Sequence, residues 1–153
     1  MSTALLAAGP SLAAEATHEL NRKSTAAYMG GFAAPRLDKV RCAFIGVGNR
    51  GSGHARQVAA IEATEIVAIS DLYEDLATKV AKDCKEAGSG ERHQSIALYH
   101  GGPDRWKEML EEVKPDAVFI STPWKVHAPM AIGCMNRGAH AFVEVPLALT
   151  VDE

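Results

Sequence analysis

Residues 40–53 read VRCAFIGVGNRGSG, an apolar run followed by three glycines at the spacing Gly46-x-Gly48-x-x-Gly51. This spacing is typical of a dinucleotide site. A strand turns tightly into a helix at the first glycine, the backbone approaches a pyrophosphate at the second, and helix and strand pack closely at the third. The N-terminus of the new helix then receives the phosphates. Glycine-rich turns without any ligand are also common, so the spacing alone leaves that alternative open.

An acidic residue follows the next apolar run at the distance that such a site requires. The run Glu65–Ser70 predicts a buried strand, and Asp71 lies 20 residues beyond Gly51. A carboxylate here accepts hydrogen bonds from the adenosine ribose and repels a 2′-phosphate. Leu72 and Tyr73 follow it instead of an arginine, so NAD is favoured over NADP. A second interpretation, Asp71 as the N-cap of the following helix, is compatible with the first.

The composition indicates one ordinary globular domain that acts on small molecules. The 153 residues are 47% apolar and 23% charged, which allows a proper core. Sixteen basic and nineteen acidic residues give a net charge of -3 without long runs of either sign. We therefore expect neither nucleic acid nor a membrane surface as a partner.

The cysteines and most of the histidines give no metal or disulfide pattern. Three cysteines lie far apart in sequence, so we expect them to be small buried hydrophobic residues and not part of a disulfide framework or zinc site. They do not determine the redox compartment of the protein. Four histidines lack partners at metal-ligand spacing, so we expect them to be structural or exposed and expect no metal. These residues are Cys42, Cys84, Cys134, His54, His93, His100 and His140.

Residues 1–38 differ in composition from the rest of the chain, and this composition predicts a leader followed by an extended segment that leads into the first strand. Ala4–Ala8 is small and apolar, and Ala14–Ala16 resembles a signal cleavage site. The segment before Leu5 lacks Lys and Arg, and Gly9-Pro10 interrupts the apolar stretch, so only a partial signal is present. Export to the periplasm and a cytoplasmic location both stay open. The segment is too short and interrupted to span a bilayer as a helix.

Apolar periodicity predicts five strands alternating with four helices. After the first strand we predict helix 52–61, strand 65–70, helix 73–87 with a stripe from Leu72 to Cys84 and an end at Gly88, strand 95–99, helix 103–113, strand 116–121, helix 129–137 and strand 140–144. Short connections and right-handed crossovers then give a doubly wound α/β sheet of Rossmann type, with strand order 3-2-1-4-5. The dinucleotide-binding domain is assigned to residues 39–153. A capping pattern at 150–153 opens another helix, so we expect the natural protein to continue into a substrate domain.

The residues that follow the strand ends form one candidate site. Ligands in such sheets bind beyond the carboxyl ends of the strands, where the strand order reverses. The segments at those ends are 46–50, Asp71, 122–127 and 144–146.

The order GVGNRG, Asp71, STPWKVH at 121–127 and Glu144-Val145-Pro146 resembles the N-terminal half of the Gfo/Idh/MocA family. The resemblance covers roughly Leu37 to Glu153. Within the family, the pattern is most similar to glycoside hydrolase family 109, the NAD-dependent glycosidases whose founding activity is α-N-acetylgalactosaminidase. Most dehydrogenases of the wider family carry Glu-Lys-Pro, whose lysine transfers a proton. Here Val145 occupies that position, which disfavours a dehydrogenase of the usual design.

The resemblance also implies roles for individual residues. Asn49 and Arg50 would donate to the pyrophosphate, Asp71 would hold the ribose, and Glu144 and Val145 would flank the nicotinamide. The segment Thr122, Trp124, Lys125, Val126 and His127 would line the nicotinamide side. Two alternatives stay open, Arg50 as a solvated surface charge and His127 as a simple first-turn residue. Apart from His127, catalytic residues are expected beyond Glu153.

Three functions are carried forward. The favoured one is a glycosidase in which bound NAD transiently oxidises the sugar C3, followed by elimination, water addition and re-reduction. No pair of carboxylates flanking the scissile bond is needed for it, unlike in ordinary glycosidases. The second is an NAD-dependent sugar or cyclitol dehydrogenase, and the third is a non-catalytic nucleotide-binding domain. A homo-oligomer formed through the missing C-terminal domain is a further expectation.

Overall fold

Five parallel strands form one sheet in this computed structural model, which describes residues 31–88 and 92–153. They are β1 (Val40–Ile45), β2 (Thr64–Ser70), β3 (Ala97–Tyr99), β4 (Ala117–Ile120) and β5 (His140–Val143). Their order is β3-β2-β1-β4-β5, and every neighbouring pair is parallel. The predicted α/β class and strand order are confirmed. Most of the predicted leader lies outside the described residues.

Helices connect the strands as the apolar periodicity predicts, with shifted ends. They are α1 (Asn49–Ala59), α2 (Glu74–Ala87), α3 (Arg105–Val113) and α4 (His127–Met135), with a 3-10 turn at Trp124–Val126 before α4. α1 begins three residues earlier than predicted, because Gly48 is already its N-cap. The capping pattern at 150–153 marks only the start of the further helix that the sequence predicts. That segment is irregular, and the Glu153 carboxylate accepts a hydrogen bond from the backbone N–H of Leu149 at 2.7 Å.

Two hydrophobic layers enclose the sheet. One face packs against α1 and α2 through Phe44 and Ile66, and the other packs against α3 and α4 through Met109 and Ile120. Burying side chains of this size stabilises the fold by about 2 kcal/mol each. The three cysteines are free and buried in these layers, as predicted.

One extra residue in β2 changes the pairing of the two central strands. Cys42 is paired with Ile66 but Ala43 with Ala68, so Val67 is a bulge. Because side chains alternate along a strand, the bulge exchanges the faces of all residues after it. Ile66 and Ile69 consequently both pack in the layer of α1 and α2, although they are three positions apart.

His93 completes the hydrogen bonding at this bulge. Its ring is 1% exposed, and Nδ1 accepts a hydrogen bond from the backbone N–H of Ile66 at 2.9 Å. The other ring nitrogen lies 3.0 Å from the carbonyl oxygen of Ala59, to which it donates. His93 therefore connects the end of α1 to β2, which is a structural role of the kind that the sequence predicts for this histidine.

The apolar stripe predicted for the second helix needs one correction. Leu72 precedes α2 and is 55% exposed, because the chain leaves β2 there and enters the helix only at Glu74. Val80 and Cys84 do face the core. The helix ends at Gly88 as predicted, although this glycine has an extended conformation instead of the left-handed one common at helix ends.

A row of stacked aromatic rings crosses the sheet on the side of α1. Phe44 stacks on Phe119 with ring centroids 4.9 Å apart, and Phe119 stacks on Phe142 at 4.8 Å. The first ring is fully buried, whereas Phe142 on the edge strand β5 is 52% exposed.

Among the described helices, none is long and apolar enough to cross a membrane.

Candidate functional site: a dinucleotide cleft

The three positions of the turn between β1 and α1 require glycine for different physical reasons. Gly46 has φ of 81°, and a Cβ there would lie 2.8 Å from the Thr122 methyl group. A Cβ on Gly51 would overlap the carbonyl oxygen of Gly46. A Cβ on Gly48 would meet no protein atom within 4 Å. The first and third glycines are thus required by the protein itself, while the second borders open space.

The N-terminus of α1 points its amides at that space. Gly48 is the N-cap without any side-chain cap, and the first helical hydrogen bond runs from the amide of Ser52 to the carbonyl of Gly48 at 3.0 Å. The amides of residues 49–51 lie ahead of that bond. Asn49 and Arg50 are exposed beside them. Such a helix end attracts phosphate groups.

The carboxylate of Asp71 joins two loops. One oxygen accepts a hydrogen bond from the backbone N–H of Val47 at 2.8 Å, and the other accepts one from Tyr73 at 3.0 Å. The N-cap of α2 is Tyr73, so Asp71 is not the cap itself but bonds to the cap's amide. Each carboxylate oxygen retains a second acceptor site.

A cleft of about 330 Å³ lies over the carboxyl ends of the strands. We call it the dinucleotide cleft. Its walls come from the ends of β1 and β2, the glycine turn, the segments after β3 and β4, and the helices α2, α3 and α4. The lining residues are Ile45, Gly46, Gly48, Ser70, Asp71, Leu72, Tyr73, Leu76, Gly102, Pro103, Trp106, Ser121, Thr122, Pro123 and Met130.

The dinucleotide cleft has the parts that NAD needs. Open space at Gly48, free helix amides and a carboxylate at the end of β2 follow one another along its wall. A family model described as "Oxidoreductase family, NAD-binding Rossmann fold", with the name GFO_IDH_MocA, matches residues 40–153. The chain belongs to the Gfo/Idh/MocA family. NAD is its cofactor.

Curated relatives of this Gfo/Idh/MocA domain carry glycosidase names. Glycosyl hydrolase family 109 protein 1 of Akkermansia muciniphila is 52% identical over 132 residues, which cover 86% of this chain and 27% of that protein. Alpha-N-acetylgalactosaminidase of Shewanella oneidensis is 38% identical over 153 residues, covering 100% of this chain and 32% of that protein. The chain thus spans about a third or less of the length of these relatives.

Solved structures with the same fold include inositol dehydrogenases. Myo-inositol 2-dehydrogenase of Lactobacillus plantarum has a TM-score of 0.62 and 28% identity, covering 74% of this chain and 30% of that one. Scyllo-inositol dehydrogenase of Lactobacillus casei, solved with NAD(H) and scyllo-inositol, has a TM-score of 0.61 at 21% identity, covering 74% and 30%. The second comparison supports the Gfo/Idh/MocA fold alone.

The segment after β4 separates into exposed and buried parts. Trp124 is 60% exposed, and Lys125 is exposed beside it on the 3-10 turn. His127 is fully buried, with Nε2 2.7 Å from the carbonyl oxygen of Thr122 and Nδ1 2.8 Å from that of Pro146. Its ring therefore offers no free polar group to a ligand, and it connects the segments after β4 and β5.

The segment after β5 borders a second cavity of about 360 Å³, which we call the Val145 cavity. Val145 is 79% exposed. Glu144 lies next to it, and one of its carboxylate oxygens is 3.3 Å from Nε2 of His54 on α1. The residues that line this cavity are His54, Gln57, Val58, Phe119, Ile120, Phe142, Val143, Glu144 and Val145.

The predicted site residues are thus distributed over two neighbouring cavities and the surface around them. Gly46, Gly48, Asp71 and Thr122 line the dinucleotide cleft, and Glu144 and Val145 line the Val145 cavity. The others line neither of these two cavities: Asn49, Arg50, Gly51, Trp124, Lys125, Val126 and His127.

Sequence reasoning missed several residues of the two cavities. Leu72 was assigned to the apolar stripe of the second helix, yet it lines the dinucleotide cleft. Trp106 packs in the core and lines the same cleft. The position of Leu72 directly after the acidic residue was a usable signal, because chain segments at strand ends turn outward. His54 had no such signal, since its contact with Glu144 spans most of the domain. Among the described residues, no group of three His, Cys, Asp or Glu could hold a metal ion.

Proposed function

We propose that the whole protein to which this domain belongs is an NAD-dependent glycosidase of redox mechanism. The observation that carries the proposal is Val145, which stands where most dehydrogenases of the wider family have a lysine. Valine has no ionisable group and cannot transfer a proton. The similarity to glycosyl hydrolase family 109 proteins and to an alpha-N-acetylgalactosaminidase supports the same function.

The residues of the dinucleotide cleft fit the cofactor. The amides of residues 49–51 would receive the pyrophosphate, and Gly48 would allow its close approach. Asp71 would accept hydrogen bonds from the ribose hydroxyls with the acceptor sites that Val47 and Tyr73 leave free. Its negative charge would oppose a 2′-phosphate, which makes NAD the preferred form.

The side chains after β4 and β5 would surround the reacting end of the cofactor. When bound, NAD supplies a reversible hydride acceptor for the sugar C3, and the resulting ketone acidifies the C2 proton for loss of the aglycone. Val145 would contribute a small apolar surface beside the nicotinamide, and Glu144 a fixed carboxylate. The base that removes the C2 proton would lie in the remainder of the protein.

The test is a stoichiometric one on the whole protein. We expect it to release p-nitrophenol from p-nitrophenyl α-N-acetylgalactosaminide, or from a related glycoside, without added cofactor and without a net gain of NADH absorbance. A Gly48→Val variant, in which the side chain occupies the space of the pyrophosphate, is the inactive control. Accumulation of NADH with free sugars, with every glycoside left intact, would contradict the glycosidase proposal.

The inositol dehydrogenase of Lactobacillus plantarum supports a second candidate function, oxidation of a sugar or cyclitol with net reduction of NAD. This dehydrogenase reaction requires a proton acceptor, which Val145 cannot be, so another residue would have to supply it. The same assay distinguishes it, because a dehydrogenase accumulates NADH with inositols. A domain that binds the nucleotide without catalysis would do neither.

A further inference from the structure

His54 lies where the phosphate-binding helix meets the end of β5. It is on α1, which starts at the glycine turn, and its ring lines the Val145 cavity together with Glu144. The rest of that lining is apolar except for Gln57. A carboxylate and an imidazole are therefore in contact at the wall of a mostly apolar cavity, beside the position proposed for the nicotinamide.

The backbone of Glu144 is fixed, whereas its side chain depends on His54. Its amide donates to the carbonyl of Ile120 at 3.0 Å, which continues the sheet beyond β5. One carboxylate oxygen has a long contact of 3.3 Å with the amide of Val145. The other lies 3.3 Å from Nε2 of His54. The imidazole and the carboxylate are thus in polar contact at an ion-pair distance.

We propose that His54 is a positioning residue, which holds the Glu144 carboxylate at the Val145 cavity so that it meets the carboxamide N–H groups of the nicotinamide in a fixed place. The proposal rests on the nicotinamide position given under the proposed function. It does not depend on whether the whole protein cleaves glycosides, because it concerns cofactor binding alone.

The physical basis is the cost of ordering a flexible acidic side chain. A glutamate that is free in solvent loses rotational freedom when it binds a ligand, which weakens binding by roughly two- to tenfold for a side chain of this kind. A glutamate already held by a neighbour has lost that freedom before the ligand arrives. Both side chains are partly exposed, 37% for His54 and 26% for Glu144, so the effect is modest.

The experiment is an NAD titration by calorimetry with variants of this chain. His54→Leu removes the imidazole that contacts Glu144 and keeps a side chain of similar bulk, and we expect about fivefold weaker NAD binding. His54→Gln places an amide N–H near the position of Nε2, and we expect affinity within about twofold of the native chain. His100→Leu is the matched control, because His100 faces Glu74 at 3.7 Å in a His–Glu pair that lines neither cavity.

A double-variant cycle separates positioning from a general effect on the fold. In a Glu144→Gln background, the additional change His54→Leu should weaken NAD binding by less than about twofold, since the pair is already broken. Full fivefold loss in that background would overturn the proposal. Unchanged affinity of His54→Leu, or equal losses for the leucine and glutamine variants, would overturn it as well.

Discussion

The carboxylate of Asp71 accepts a hydrogen bond of 2.8 Å from the backbone N–H of Val47 and so connects the end of β2 to the glycine turn. The same carboxylate accepts from Tyr73, at the entrance to α2. One acidic side chain therefore connects both loops that border the proposed ribose position. Under the proposed function, cofactor choice and loop geometry would depend on the same group.

We expect Asp71 to set the preference for NAD over NADP. Asp71→Ala should cost about 1.5–3 kcal/mol of NAD affinity, the usual range for a hydrogen bond to a charged group. Asp71→Asn removes the charge at nearly the same shape, so it should narrow the difference between the two cofactors. Calorimetric titration with NAD and NADP measures both effects. Asp75→Asn is the control, since this exposed residue carries the same charge on the first turn of α2. Equal affinity of the native chain for both cofactors would contradict the prediction.

Substitutions of the second and third glycines of the turn should have opposite effects, one on NAD binding and the other on stability. Gly48→Val should abolish NAD binding with little change in stability, because the side chain enters open space. Gly51→Ala should lower the free energy of unfolding by about 3 kcal/mol, because its Cβ would overlap a carbonyl oxygen of the turn. Chemical denaturation and NAD titration of both variants check this. Native affinity in Gly48→Val would show that the glycine spacing has only a structural role.

His93 should be the histidine whose loss costs most stability. His93→Ala leaves the amide of Ile66 and the carbonyl of Ala59 without their ring partner inside the core, and should cost about 3–5 kcal/mol. His93→Asn keeps an acceptor near Nδ1 and tolerates the positive φ of 63°, so it should cost less. Urea denaturation of the two variants gives the comparison, and equal losses would contradict the proposed acceptor role.

The buried thiols should make the fold less stable in alkali. Burial raises the pKa of Cys42, Cys84 and Cys134 from 9.0 to about 11. The unfolded chain therefore releases thiol protons first, and stability falls as the pH rises above 9.0 toward 11. The loss is at most about 1.4 kcal/mol per pH unit for each thiol. Denaturation between pH 8 and 10 measures it, and a variant with all three cysteines changed to alanine should show a smaller slope. If the pH dependence of stability were unchanged in that variant, groups other than the thiols would be responsible for it.

The sequence was sufficient to predict the fold and the glycine turn between β1 and α1, because both depend on local signals. Apolar periodicity predicted every strand, and the glycine spacing and Asp71 lie at fixed distances along the chain. The contacts of His54 with Glu144 and of His93 with Ile66 join residues far apart, and no local pattern contains them. Strand and helix ends moved by a few residues for a similar reason, since hydrogen bonding in three dimensions decides them.

The extra residue Val67 has a consequence for protein engineering. It shifts β2 by one position against β1, so that Ser70 is paired with Ile45 and Asp71 follows beside the glycine turn. Deletion of Val67 would join Ile66 directly to Ala68, so every pair of the ladder, including Ser70 with Ile45, could form without a bulge. A strand from a homologue that lacks the bulge should therefore still place its acidic end beside the glycine turn, provided that the residue before the acid is paired with Ile45.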